Sequence, residues 1–248
     1  GTIVWKDRHP DGLVLAGDPD ARGPVLIAAR QGAIWVVLCS ENSAPRVSAQ
    51  FVRPDGQITG PVPLSGALRG SPGDVQAVSD GSGGLLCVFG LSSRQTPAKL
   101  FCARIDGAGK HVWPGIAALF SGPGMSYREV CALPGPDSSV TVAMTSPVNR
   151  RLDANQHRAL AAQHISASGE LTWGLDPIEV TNPADGSAVT PALAPDGEGG
   201  VYVVYGVKLK TGPGTGATGL LSLRLGPSGE RLWRHPIPLA MGLTPGRA

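Results

Sequence analysis

The sequence has few charged residues and few aromatic rings. Only 16% of its 248 residues are charged and 5% are aromatic, and 21 Lys and Arg face 19 Asp and Glu, for a formal charge of +2. This near balance argues against a domain that holds nucleic acid or an anionic membrane surface, because such domains carry a strongly basic face. No apolar run approaches the roughly 18 residues that a membrane-spanning helix needs, so we expect no membrane span.

Glycine and proline are abundant instead. The chain has 35 Gly and 23 Pro, about twice their average share of roughly 12%. So many helix breakers predict short elements separated by turns. The hydrophobic content of 42% is sufficient for one large domain or two small ones.

Four segments of the chain resemble one another at a steady spacing. They cover approximately residues 20–65, 72–120, 127–180 and 187–240. The spacing is marked by a Gly-x-x-x-Trp element that ends at Trp113, Trp173 and Trp233, occurs alone at Trp5, and has Gly60 in place of Trp in the first repeat. The intervals of 55, 53, 60 and 60 residues indicate a repeat architecture.

Each repeat predicts four short strands. An Asp-Gly-x-Gly-Gly turn, clearest at Gly83, Gly84, Gly199 and Gly200, is typical of a hairpin between the first two strands, because Asp and Gly tolerate positive φ. A second Gly turn follows the third strand, and we expect the fourth strand to carry the Trp. Without helical periodicity the pattern predicts an all-β fold. A recurring four-stranded antiparallel unit predicts a β-propeller or propeller-like array, formed by residues 1–248 as one domain.

The recurring Trp predicts the contact between repeats. One large aromatic side chain at a fixed point of each repeat can bury its area against the neighbouring blade. Because Gly60 replaces it in the first repeat, that interface should be looser or filled from elsewhere.

Asp-Gly-x-Gly-Gly before a buried strand, with Gly-x-x-x-Trp after the third strand, resembles the β-propeller repeats of secreted and surface proteins of bacteria. The likeness extends from Gly1 to about Gly242. It implies the fold and an extracellular, cell-surface or periplasmic location. The Gly-x-x-x-Trp element is also similar to pyrroloquinoline-quinone dehydrogenase propellers, but this chain has about half of their blades and no matching metal or quinone site.

Residues 1–6 form one predicted strand too many. Three interpretations stay open: the chain is a piece of a longer protein, the strand lies on the outside of a four-blade body, or it pairs with another protein subunit. The third follows from the tendency of an open strand edge to bind a further strand.

The four cysteines, Cys39, Cys87, Cys102 and Cys131, lack a CxxC spacing, which makes a zinc site improbable. Cys87 and Cys102 belong to neighbouring predicted strands of one repeat. A cross-strand disulfide is one interpretation of this pair. Buried thiols that pack as small apolar groups are the simpler one.

No residue of the sequence is predicted to be catalytic, to bind a cofactor or to bind a metal. The stretch 214–219 matches GxGxxG, but a strand follows where a dinucleotide site needs a helix. The Asp residues that recur at the first hairpin are explained by turn chemistry. A candidate interaction loop carries Arg150, Arg151 and Arg158, although a basic loop is usually solvated surface.

These observations favour a non-catalytic, exported scaffold or interaction subunit that is not an enzyme. The alternative is a carbohydrate-binding or carbohydrate-active propeller with aromatic and acidic groups at its central face, against which the low aromatic content counts. A third class, a quinone-dependent oxidoreductase, would need a bound cofactor.

Overall fold

The computed structural model describes residues 21–41, 46–93, 99–120, 128–147, 158–181, 187–208 and 218–243. Within these ranges, sixteen strands form four antiparallel sheets of four strands each, and a single turn of 3-10 helix covers Arg30–Gly32. The predicted all-β array of four-stranded blades is therefore confirmed. None of the described helices is long and apolar enough to cross a membrane. The extra strand predicted at residues 1–6 lies outside the described ranges.

The strands pair in chain order within every sheet. Sheet 1 contains β1 (Ala21–Ala28), β2 (Ile34–Ser40), β3 (Val47–Val52) and β4 (Val62–Pro63); sheet 2 contains β5 (Ser71–Ser79), β6 (Leu85–Ser92), β7 (Lys99–Ile105) and β8 (Ala117–Phe120); sheet 3 contains β9 (Arg128–Pro134), β10 (Val140–Pro147), β11 (Arg158–Ile165) and β12 (Ile178–Glu179); and sheet 4 contains β13 (Ser187–Pro195), β14 (Val201–Lys208), β15 (Thr218–Leu225) and β16 (Ile237–Leu243). The first strands of consecutive sheets lie beside one another, as the innermost strands of a propeller do.

The Trp-bearing segment is not the fourth strand, which corrects our prediction for the described repeats. After the second Gly turn, a single residue bridges back to the third strand, as in Ile105 with His111 and Ile165 with Leu171. The chain then bends at the Trp, and the fourth strand follows. The turn is tight: for example, the Gly109 N–H donates to the Asp106 carbonyl at 2.9 Å. Beyond the turn, the segment pairs with the third strand through that one bridge. The strand predicted at residues 1–6 was inferred from its likeness to this segment.

Trp113 and Trp173 lie at the seams between sheets. The indole Nε1 of Trp113 donates to the Ala167 carbonyl of sheet 3 at 2.9 Å, and that of Trp173 donates to the Pro227 carbonyl of sheet 4 at 2.8 Å. Gly169 and Gly229 lie directly under these rings: a Cβ at either would come within 2.9 Å of the indole, and their φ values are +91° and +83°. Each of these two seams therefore pairs a Trp of one sheet with a Gly turn of the next sheet.

The seam between sheets 1 and 2 is filled from elsewhere. Trp35 of β2 is 1% exposed and donates its Nε1–H to the Gly83 carbonyl at 3.0 Å. Its ring lies 3.5 Å from where a Cβ on Gly109 would be, so it takes the place that Gly60 leaves open. In sheet 4, Trp233 is only half-buried and contacts Tyr202 of the same sheet, with ring centroids 5.5 Å apart. Trp5 lies outside the described residues.

Among the described residues, the hydrophobic core consists of three clusters, one at each seam between consecutive sheets. Cys87 belongs to the cluster between sheets 1 and 2, whereas Cys102 belongs to the cluster between sheets 2 and 3. The two thiols point to opposite faces of sheet 2, because successive side chains of a strand alternate and paired strands share that alternation. All four cysteines are free, so the cross-strand disulfide is not formed. Burial raises the pKa of Cys39 to about 11 and that of Cys131 to about 12.

Candidate functional site

The array has two ends that differ in their backbone. At one end, which we call the turn face, lie the hairpins between first and second strands and the Gly turns after the third strands. At the other end, the bulge face, the first strands begin, and each of them contains an irregularity in register: between Arg22 and Val25, between Pro72 and Val75, opposite Met144 in β9, and between Val189 and Ala192. Bulges re-aim side chains and are common beside active sites.

The carboxylate of Asp80, on the turn face, is fully engaged within its own sheet. Its Oδ1 accepts from the N–H groups of Ser82 and Gly84, each at 2.8 Å, and its Oδ2 pairs with Arg104 Nη2 at 3.2 Å. The side chain is 0% exposed. Burial, the largest single influence, raises the pKa of Asp80, but the hydrogen bonds from Ser82, Gly84 and Arg104 together lower it below its usual value.

Asp196 repeats this arrangement in sheet 4. It accepts from the N–H groups of Glu198 and Gly200, each at 2.8 Å, and pairs with Arg224 at 2.8 Å. A Cβ on Gly200 would lie 2.2 Å from the Leu225 carbonyl, which is why the turn ends in glycine. Gly84 meets the same limit, 2.0 Å from the Ile105 carbonyl. The Asp-Gly-x-Gly-Gly motif is therefore a device for closing the hairpin.

The bulge face holds strained backbone. Glu129 and Thr190 have φ values of +53° and +47° although neither is glycine, and for a β-branched residue such as Thr this is a genuine outlier. Conformations of this kind cost on the order of 1–3 kcal/mol each and cluster at functional sites. Carboxylates of the preceding sheets hold both residues: the Glu129 N–H donates to Asp74 Oδ2 at 2.6 Å, and the Thr190 N–H donates to Glu129 Oε2 at 3.0 Å.

The carboxylate of Glu129 is fixed by further donors. The hydroxyl of Thr145 donates to Oε2 at 3.2 Å, and Arg158 Nη1 lies 3.7 Å from Oε1. Arg158 is the first residue of β11, and its side chain is 29% exposed. It therefore belongs to a sheet and faces a carboxylate, which corrects its placement in the candidate interaction loop. Arg150 and Arg151 lie outside the described residues.

An open cleft of about 320 Å³ lies on this face between sheets 1 and 2. Its walls come from the beginnings of β1 and β5 and the end of β2, with Gly23, Cys39, Glu41, Pro72, Gly73, Asp74 and Val75 as lining residues. Asp74 is exposed on this wall while its Oδ2 holds the neighbouring sheet. Two carboxyl groups on adjacent first strands, one of them in a cleft, have the composition that acid–base cleavage of a glycosidic bond requires.

Our sequence analysis did not single out Asp74 or Glu129. The sequence signal that could have identified them is a carboxyl group within a first strand, outside the turns where Asp recurs. The first strands are otherwise mainly apolar in each repeat. Among the described residues, no group of three or more His, Cys, Asp or Glu side chains could hold a metal ion. Most of the GxGxxG stretch lies outside those residues.

His164 is a half-buried member of the seam between sheets 3 and 4. Its Nδ1 lies 2.9 Å from the Thr141 hydroxyl, and its ring stacks on Trp173 with centroids 5.7 Å apart. Burial lowers the pKa of His164, and the charge of Asp137 opposes this only in part. The packing shows a structural role for this histidine.

No protein-family model and no curated protein matches this sequence. Among solved structures, an ulvan lyase of polysaccharide lyase family PL25 superposes with a TM-score of 0.58 at 10% identity, covering 89% of this chain and 57% of the lyase. The GH93 α-L-arabinofuranosidase of Fusarium graminearum gives a TM-score of 0.52 at 11% identity, covering 92% of this chain and 68% of the enzyme. At these identities the likeness shows a shared fold. The chain spans little more than half the length of the lyase.

This finding contradicts the prediction of a non-catalytic scaffold that is not an enzyme. The two solved structures above are a polysaccharide lyase and an α-L-arabinofuranosidase, so the fold is one that carbohydrate-active enzymes use. The prediction rested on the lack of a recognisable catalytic motif, and Asp74 and Glu129 belong to no such motif.

Proposed function

We propose that this chain is a carbohydrate-active β-propeller that binds a saccharide in the cleft of the bulge face and acts on its glycosidic bond. The observation that carries the proposal is the coupling of Asp74 to Glu129. These two carboxyl-bearing residues lie on consecutive first strands and are joined by the 2.6 Å bond from the Glu129 N–H to Asp74 Oδ2, and Asp74 lines the cleft. The class of substrate is supported by the carbohydrate-active enzymes that share the fold.

The two carboxyl groups have different surroundings, which assigns them different roles. Asp74 is exposed on the cleft wall, where it can exchange a proton with the bridging oxygen of a bound saccharide. Glu129 is held by Thr145, Thr190 and Arg158, so its carboxylate stays in one place. An accessible group suits the general acid, and a fixed carboxylate suits the second member of the pair.

The cleft is small enough to restrict what it binds. Its volume of about 320 Å³ is at the lower end of the roughly 300–1,000 Å³ typical of small-molecule sites. It is also open to solvent along the sheet ends. We therefore propose that it takes a short stretch of a longer saccharide and leaves the remainder of the polymer outside.

We further propose that the protein acts outside the cytoplasm, at the cell surface or in the periplasm. The support is the resemblance of its repeats to those of secreted bacterial propellers, together with a polymeric substrate that cells encounter outside. The four free cysteines add no support, because exported proteins commonly pair theirs.

The proposal is tested with a panel of neutral and acidic polysaccharides. Product is followed as new reducing ends, for hydrolysis, and as the ultraviolet absorbance of unsaturated uronate, for elimination. We expect cleavage of at least one polymer, with kcat lowered at least about 100-fold by Asp74→Asn, because general acid–base groups contribute about 10²–10⁴-fold.

Asp176→Asn is the matched control, since Asp176 is exposed, lies in the bend before β12 and does not line the cleft. It should retain wild-type rates, while Glu129→Gln should lose activity as Asp74→Asn does. The proposal fails if no polymer on the panel is cleaved, or if the Asp74 and Glu129 variants cleave as fast as wild type.

A further inference from the structure

The side chains that line the cleft of the bulge face are either acidic or uncharged. Glu41, which directly follows β2, and Asp74 of β5 are both exposed. Cys39, Pro72 and Val75 contribute a thiol and apolar surface. Among the described residues that line the cleft, none is a lysine, an arginine or a histidine. The two neighbouring sheets therefore each present one carboxyl group to the cleft.

This composition disfavours a charged sugar of either sign. The carboxylate of a uronate would meet like charges, and one such contact in water lowers affinity about 5-fold. Elimination from a uronate also needs a cation or a hydrogen-bond donor that stabilises its carboxylate while the neighbouring C–H loses its proton. An ammonium group beside Asp74 would favour the carboxylate over the acid that donates a proton. An uncharged sugar avoids each of these penalties.

Two glycines leave part of the cleft wall without side chains. Apart from its chain neighbours, a Cβ on Gly23 would meet no atom of the described residues within 4 Å, and a Cβ on Gly73 would meet the Gly90 carbonyl oxygen at 3.9 Å. Gly73 is exposed, and its φ lies outside the left-handed region that favours glycine. The fold therefore has room for a Cβ at residue 73. The bare backbone there lets a ligand approach closely.

We propose that the cleft takes an uncharged sugar, which lies against the backbone at Gly73 and beside Glu41 and Asp74. This inference rests on the proposed function. Carboxylate oxygens accept hydrogen bonds from sugar hydroxyl groups. Without a uronate carboxyl group, cleavage is a hydrolysis. The glycosidic C–O bond breaks and the leaving oxygen takes the proton of Asp74, while water gives its hydroxyl to the anomeric carbon and a proton back to Asp74.

Matched polysaccharides test the charge of the substrate. Polygalacturonate and alginate are compared with their carboxyl-reduced products, which keep the linkages and lose the charge, and chitosan oligosaccharides with their N-acetylated forms. Binding is followed by affinity electrophoresis, and cleavage by new reducing ends and unsaturated uronate. We expect a neutral member to be bound and hydrolysed at least about 10-fold better than its charged partner. Salt should change its affinity less than about 2-fold, because screening acts on charges.

Gly73→Leu tests where the sugar lies. Its Cβ has room in the fold, and the remainder of the side chain would occupy the cleft, so we expect at least about a 10-fold loss of affinity without a lower urea midpoint. Gly115→Leu is the matched control. Gly115 is exposed before β8, does not line the cleft, and has no atom of the described residues within 4 Å of its Cβ position apart from its chain neighbours. This variant should bind as wild type does.

Glu41→Gln removes one charge from the cleft wall. It should improve binding of the uronate polymers about 5-fold, whereas Glu170→Gln, at an exposed position in the Gly turn of sheet 3, should not. A charged polymer that is bound and cleaved as well as its neutral partner, or better, overturns the inference and leaves the proposed function standing. A folded Gly73→Leu variant that binds as wild type does has the same meaning. If no polymer is bound or cleaved, both fail.

Discussion

Carboxylate side chains occur on both the turn face and the bulge face, but they make different contacts on the two faces. On the turn face, Asp80 and Asp196 satisfy backbone N–H groups and an arginine within a single sheet. On the bulge face, Asp74 and Glu129 reach across to the next sheet and hold strained backbone there. Asp80 and Asp196 close the first hairpins of sheets 2 and 4, whereas Asp74 and Glu129 join neighbouring sheets, and Asp74 lines an open cleft.

Recurrence separates these two roles. The Asp of the turn face has equivalents in sheets 2, 3 and 4, at Asp80, Asp137 and Asp196. Asp74 and Glu129 each accept an N–H of the next sheet's bulge, but they occupy different places within the bulges of their own strands. Only Asp74 of the two also lines the cleft, which makes it the better candidate for a specific site.

Removing a carboxylate of the turn face should have the largest effect on stability. Asp80→Ala leaves Arg104, whose side chain is only 12% exposed, without its ion pair, and leaves two N–H groups without their acceptor. Loss of one partner of a buried pair costs about 3–5 kcal/mol. We expect a loss of about that size in the free energy of unfolding, measured by urea denaturation.

Asp74→Ala is the matched variant on the bulge face. Its side chain is exposed and its loss removes one hydrogen bond, so we expect a cost of about 1 kcal/mol. Equal losses of stability in the two variants would show that the faces do not differ as we describe.

A smaller effect should appear in the response to acid. The pKa of Asp80 and that of Asp196 are lower in the folded chain than the ordinary value of 3.8, because the hydrogen bonds they accept together outweigh burial, the largest single influence, which raises both. A carboxyl with a lowered folded pKa stabilises the fold above its unfolded pKa, and that stability is lost as the pH falls through the folded value.

We therefore expect a small decline of the urea midpoint below about pH 6.5, where His164 binds a proton more readily in the unfolded chain, and a steeper fall below about pH 4. In Asp80→Asn the fall should be shallower, since one of the three turn-face carboxyl groups with a lowered pKa, Asp80, Asp137 and Asp196, no longer titrates. An unchanged acid slope in this variant would contradict the assignment of acid sensitivity to the turn face.

Much of the fold could be predicted from the sequence because its devices recur. The Asp-Gly-x-Gly-Gly turn is forced by backbone contacts, such as the Ile105 carbonyl that excludes a side chain at Gly84. The indoles of Trp113 and Trp173 bind the next sheet in the same way at two seams. Because the Gly turn and the indole contact recur, each appears in the sequence as a recognisable pattern.

The remainder depended on contacts between distant residues. Trp35 fills the seam between sheets 1 and 2 from the second strand of its sheet. The spacing of the repeats does not predict this substitution. The bulges arise from register between paired strands, so their positive φ values at Glu129 and Thr190 were not visible in the sequence. Since the candidate site is built on those bulges, it could not be predicted with the fold.

Hydrogen exchange of the chain with and without a bound oligosaccharide tests the central claim most directly. The ligand is the shortest fragment of a polymer that the chain cleaves, and Asp74→Asn is used to prevent turnover. The account predicts slower exchange at the beginnings of β5 and β9, around residues 72–75 and 129–131, with no change at the turns 80–84 and 196–200. Protection at those turns, or none at the bulges, would contradict it.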